Sequence, residues 1–438
     1  MRDIPAAVRT RAAVRTRAAV VLAATGLLAG GGLAACSQGS GESTSSPTAE
    51  SPSASQLADE CELPAPSATP SPEGGNFAAT DPDTSALEIV SGQQRAVGAS
   101  TISKSGDSSS TDSSSFTGLN AAVLISGGGS LAMNGTIVET SGAGANGVFA
   151  TGTGSSASLQ DVSVKTEGSF SHALDVTDGG SITAVSADLT TAQDHSSAIA
   201  TDRGGGAIQV AGGTARTEGG LSAVIYSTGM IDVCGLTGSS ALAEAIVVEG
   251  ANSVQASSSD LTGGTHGAYM YSSTPGGSGG GTLTLSGGTL TAQNGNAVFV
   301  DGVSATINLS NAAKLDPGSG NVLSVTNNGS ASASLTETEL EGQLTSDAGS
   351  SLDLSLTANS KITGTLNNVG VELDNTSTID LTADSSATSV TGALVTGTEI
   401  SNITGNGHTL TYDPSAEGNG YLNGQDYDLA GGGTLRAA

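Results

Sequence analysis

The stretch HALDVTDGGSITAVSADLTTAQDHSSAIA, residues 172–200, holds three short segments in which apolar and polar residues alternate. HALDVTDGG alternates first, SITAVSA does so after a glycine turn, and DLTTAQD follows with Leu189. Period two belongs to an extended strand, whose successive side chains point to opposite faces. Ala198-Ile199 then restarts what Ala173-Leu174 began 25 residues earlier.

The restart is general. A small residue followed by an apolar one recurs at Ala122-Val123, Gly147-Val148, Ala173-Leu174, Ala198-Ile199, Ala223-Val224, Ala245-Ile246, Gly267-Ala268, Ala297-Val298 and Val322-Leu323. The steps run from 22 to 30 residues and average 25. The same three beats fit GVFATGTG, SASLQD, VSVKTEG and AVFVDGV, SATINLS, NAAKL. A unit of this length cannot bury its apolar face alone, and stacking copies buries it as a continuous core. The expected fold is therefore all-β: a right-handed parallel β-helix with three strands per coil, the coils ~4.8 Å apart. A propeller blade needs about 40 residues and aromatic signatures, whereas aromatics are only 3% of the chain and Trp is absent. The 64 glycines and the alternation exclude a helical solenoid.

Outside the repeats the composition changes twice. Residues 1–35 carry five arginines, then the uncharged run AAVVLAATGLLAGGGLAA. A basic segment, a short apolar segment and small residues at its end describe a signal peptide. Residues 36–75 are rich in Ser, Thr, Pro and Glu and hold too few apolar side chains to offset the entropy of ordering, so a linker is expected there. The β-helix is expected over 76–408. The different ending, 409–438, is expected to be a cap that covers the last coil with Tyr412, Tyr421 and Tyr427.

Leu33-Ala34-Ala35-Cys36 resembles the lipobox of bacterial lipoproteins. The resemblance implies cleavage between Ala35 and Cys36, acylation of Cys36 with palmitate-type chains, and a protein held on the outer face of the cell membrane. Two or more acyl chains, at ~0.8 kcal/mol per buried methylene, make a stable anchor.

The full chain carries a net charge of −28, and loss of residues 1–35, with five arginines and one aspartate, takes it to near −32. Such a chain repels phosphate backbones, so nucleic acid is an unsuitable partner. No cofactor is expected. Calcium is the ion an acidic surface would suit, but no dense aspartate repeat supplies ligands. Cys61 and Cys234 can form a disulfide outside the cytoplasm. Because Cys61 precedes the repeats and Cys234 lies within them, their pairing stays open.

The repeats GGSLAMNGTIVETSG–NGVFATG and GGTLTLSGGTLTAQNG–NAVFVDG, between Ala121 and Leu315, resemble pertactin-like passenger domains of autotransporter adhesins. The resemblance implies surface display and adhesion, with the lipid in place of that family's outer-membrane barrel. The expected role is non-enzymatic adhesion or cell-envelope interaction, with a surface glycan or an envelope or host protein as partner. The alternative is a β-helical polysaccharide lyase or glycoside hydrolase, which needs paired carboxylates or a carboxylate with a base. For that chemistry the best sequence cluster is Asp194, His195, Asp202 and Arg203, while His172, His195 and His266 recur near coil starts as stacked turn residues. Low aromatic content counts against sugar stacking.

Overall fold

A computed structural model describes Cys61, Leu63 and residues 71–274 and 279–438. The expected signal segment, with Ala35 and Cys36, and nearly all of the Ser/Thr/Pro-rich stretch lie outside the described residues. The rest is a parallel β-solenoid of about 14 turns with very little helix.

Each coil contributes to three ladders. The first contains Val123–Ser126, Val148–Thr151, Leu174–Thr177, Ile199–Thr201, Ile225–Ser227, Ile246–Glu249, Ala268–Tyr271 and Val298–Asp301, each paired in parallel with the next. The other two ladders merge in places: Gly180–Thr191 pairs through Ser181–Val185 with Ser156–Gln160 and through Asp188–Thr191 with Ser163–Thr166.

Alternation decides which residues form the core. In the first ladder Val123, Val148, Leu174, Ile199, Ile225, Ile246, Ala268, Val298 and Leu323 stack in register and are 0% exposed. Each fully buried Val, Leu or Ile contributes about 1.5–3 kcal/mol. The intervening side chains face outward.

One repeat pair sits a residue later than its sequence spacing suggests. Ile199 pairs with Ile225, so the pair is Val224-Ile225, not Ala223-Val224. The preceding turn is the cause: Arg203-Gly204-Gly205 is one residue longer than Asp178-Gly179, and Gly180 consequently pairs with Gly206.

Two long steps interrupt the repeat on one side. Between Ile89 and Val123 the chain inserts helix α1 (Thr111–Thr117), unanticipated from the alternation. Ser110 caps it, its side chain accepting from the Ser113 N–H, and Gly118 ends it at φ 71°. Gly118 also lies against Phe149: a Cβ there would sit 2.6 Å from the ring. The second long step separates the strands Ala268–Tyr271 and Val298–Asp301.

At the C-terminus the pattern turns partly antiparallel, with Tyr427–Ala430 against Thr434–Ala437. The Tyr412 hydroxyl donates to the Gln425 carbonyl (2.8 Å) and the Tyr427 hydroxyl to that of Leu422 (3.1 Å). Cys61 and Cys234 are bonded, with Cα atoms 5.7 Å apart across a separation of 173 residues. Among the described residues no helix is long and apolar enough to cross a membrane.

Candidate functional site

The turn that enters the first ladder is built by a short repeated pattern: Thr166…Phe170-Ser171, Thr191…His195-Ser196, Thr217…Leu221-Ser222. Each threonine hydroxyl is buried and donates to the carbonyl five residues on, as Thr166 does to Ser171 (2.6 Å). Each serine hydroxyl receives a backbone N–H from the preceding coil, Ser171 to Ser196 (3.0 Å) and Ser196 to Ser222 (3.0 Å). These bonds satisfy turn groups that would otherwise be buried without partners.

The residue before each serine is left-handed: Phe170 at φ 54°, His195 at 58°, Leu221 at 53°. One coil earlier the position is Gly144, at φ 68°. Glycine adopts this conformation freely, whereas other residues incur about 1–2 kcal/mol. Three successive coils nevertheless carry a large ring or aliphatic chain, and all three side chains line one groove. Left-handed residues also occur in turns elsewhere, as at Asp161, Ser186 and Ser258, so the conformation belongs to the coil turn.

The groove has a volume of about 440 Å³. Thr111, Asp112, Ser115 and Phe116 of α1 form one wall. Its floor includes Tyr226, Val247 and Tyr269, which follow in register in the outward column of the first ladder, between Asp175 and Ala200 before them and Phe299 after. Three of the chain's six tyrosines and two of its five phenylalanines line it: Tyr226, Tyr269, Tyr271, Phe116 and Phe170. The low average had pointed away from aromatic stacking, but the coil register gathers these rings onto one face. Tyr269 stacks on Tyr271 (4.8 Å, 4°) and on Phe299 (5.5 Å, 13°), and Phe170 on His195 (4.5 Å, 12°).

Carboxylates fix and flank the rings. Glu249 accepts the hydroxyls of Tyr226, Tyr271 (3.1 Å) and Ser273. Burial acts to raise its pKa, but these hydrogen bonds hold it below the usual carboxylate value. The Tyr269 hydroxyl donates to Asp301 (2.9 Å). Asp202 differs: one oxygen accepts the Arg203 N–H (3.0 Å), and burial pushes its carboxyl up to about 6. Beneath it Asp175 is fully buried, neither oxygen has a hydrogen-bond partner, and burial reinforced by the Asp202 charge raises its pKa well above the ordinary value.

Of the four residues clustered in sequence, His195 and Asp202 line the groove. Arg203 lies over the Phe116 ring, 3.9 Å from its centroid, and so braces α1. Asp194 is exposed and accepts the Gly220 N–H (2.7 Å) from the next coil, a turn contact. His172 and His266 occupy the same coil position as Asn146 and Asn296. Nδ1 of His172 accepts the Ser197 N–H (2.9 Å), Nδ1 of His266 that of Asn296 (3.0 Å), and the two asparagine Oδ1 atoms accept in the same way. Burial lowers the His172 pKa to about 4, so its ring is neutral and its remaining N–H is free to donate.

No family model matches the chain, and no curated protein matches it. The site is therefore read from its own residues. Phe116, Phe170, Tyr226, Glu244, Glu249, Tyr269 and Tyr271 escaped sequence reasoning. The signals that locate them are the Thr-x-x-x-Φ-Ser turns and the two long coil steps, because insertions in a solenoid gather on its binding face. Among the described residues no group of three or more His, Cys, Asp or Glu is placed to hold a metal.

Proposed function

We propose that this protein is a lipid-anchored, cell-surface glycan-binding adhesin, attached through Cys36 and engaging its ligand with the aromatic groove. One observation carries the binding reading: five aromatic side chains line one groove, three of them tyrosines on the first ladder whose hydroxyls are tied down by carboxylates. Ring faces offer apolar platforms to the C–H faces of sugars, and the fixed polar groups orient hydroxyls. The anchor rests on the Leu33–Cys36 motif. The expected lipid linkage and outer-face location are tested by metabolic labelling with a palmitate analogue, which Cys36→Ser should abolish together with membrane retention.

A second reading, glycoside hydrolysis, is favoured by one feature: Asp202, with its raised pKa, lies close enough to the buried Asp175 to raise that carboxyl further. A carboxylic acid that stays protonated towards neutral pH is what a general acid requires. Polyuronate elimination is disfavoured, because a groove flanked by Asp112, Asp202 and Glu244 and lined by no Lys or Arg repels uronate carboxylates. The experiment is a polysaccharide panel on the full chain, scoring retention and new reducing ends. Retention without product supports the adhesin, product formation moves the assignment to hydrolysis, and neither removes the glycan reading.

A further inference from the structure

We propose that the ligand of this groove is a glycan carrying protonated primary amines, and that Asp202 receives the ammonium group beside the Tyr226, Tyr269 and Tyr271 rings. The inference rests on the glycan reading above and names its substrate class.

The charges inside the groove support it. Asp112, Asp202 and Glu244 line it, and none of its lining residues is Lys or Arg. Its buried imidazole, His172, is neutral. The neighbouring Arg203 is turned onto Phe116, and burial of Asp202 outweighs its attraction.

The carboxylates also divide by task. Glu249 is saturated by Ser273, Tyr226 and Tyr271, so it fixes rings and has little capacity left for a ligand. Asp202 accepts one backbone N–H, and among the described residues no donor reaches its second oxygen. A half-buried carboxylate with one oxygen unpartnered and open to the groove is complementary to a cation brought by the ligand. The stacked Tyr269 and Tyr271 present ring faces to such a cation. A neutral glycan would use the rings and cover Asp202 with the Arg203 N–H as its one partner.

The test is calorimetry at pH 6.5 on the full chain, comparing the β-1,4-linked glucosamine hexamer with its N-acetylated counterpart. The amine-bearing hexamer should bind about tenfold more tightly, in the range expected of one desolvated charge contact. Asp202→Asn should bring the two affinities together. Asp353→Asn, an exposed acid on another ladder, should leave the preference intact. Tyr269→Ala should weaken both hexamers, the amine-bearing one more. Equal wild-type affinities would overturn the amine assignment while leaving glycan binding standing. Loss of preference in Asp353→Asn, or equal competition by hexalysine, would also overturn it, because bulk charge would then explain the binding. Failure of both hexamers and of every panel glycan would remove the glycan reading itself.

Discussion

Replacing Asp202 by Asn should stabilise the folded protein in a pH-dependent way. The Asp202 carboxyl is raised from 3.8 to about 6, chiefly by burial. At 1.36 kcal/mol per tenfold difference in proton affinity, the shift corresponds to a ceiling of about 3 kcal/mol. The sign follows from which state holds the proton. Below pH 3.8 the carboxyl is protonated folded and unfolded, and the substitution is neutral. Between pH 3.8 and about 6 the unfolded chain ionises while the folded one keeps its proton, so the wild type loses stability as pH rises. Asparagine has no such titration. Urea unfolding of the full chain at pH 3.5, 5 and 7.5 should show the variant's advantage growing from near zero towards about 3 kcal/mol. An advantage that does not change with pH, or a variant less stable at pH 7.5, would refute the claim that burial of Asp202 outweighs the Arg203 N–H it accepts.

Three further outcomes follow from the same geometry. Leu221→Gly should raise stability by up to about 1 kcal/mol in denaturant unfolding, since Leu221 is 71% exposed and left-handed, and the strain relieved exceeds the entropy glycine costs; a loss above 1 kcal/mol would contradict this. Gly168→Ala should destabilise by about 1–3 kcal/mol, because its Cβ would lie 2.0 Å from the Gly142 carbonyl oxygen of the preceding coil, and an unchanged midpoint would show that the coils yield freely. Cys61→Ser should lower stability by about 2–5 kcal/mol, as expected for opening a 173-residue separation, with an equal loss on adding reductant to the wild type.

The architecture was legible because it depends on alternation and period. The inward column from Val123 to Leu323 can be read off as small–apolar pairs, and the structure shifts only the pair at 224–225, where Arg203-Gly204-Gly205 adds a residue. The helix Thr111–Thr117 was hidden in a serine-rich run without an apolar stripe; its signals are the Ser110 cap and Gly118. The groove was half legible. His195 and Asp202 were singled out from proximity in sequence, and both line it. The tyrosines were missed because they come together only through register: Tyr226 and Tyr269 are 43 residues apart but share one outward column, separated by Val247. Composition averages over the whole surface, whereas a solenoid collects a few residues from many coils onto one face. His172 and His266 show the converse, since their place in the asparagine column explains them as backbone acceptors without any chemistry.

The most direct test of the central claim is retention of the full chain on immobilised polysaccharides, wild type against Tyr269→Ala/Tyr271→Ala. The account predicts that the wild type is held by at least one glycan. It predicts that the double variant, whose substitutions are on the outward face, passes through while unfolding at nearly the same urea concentration. Equal retention of both proteins, or retention of neither on any glycan, would contradict it.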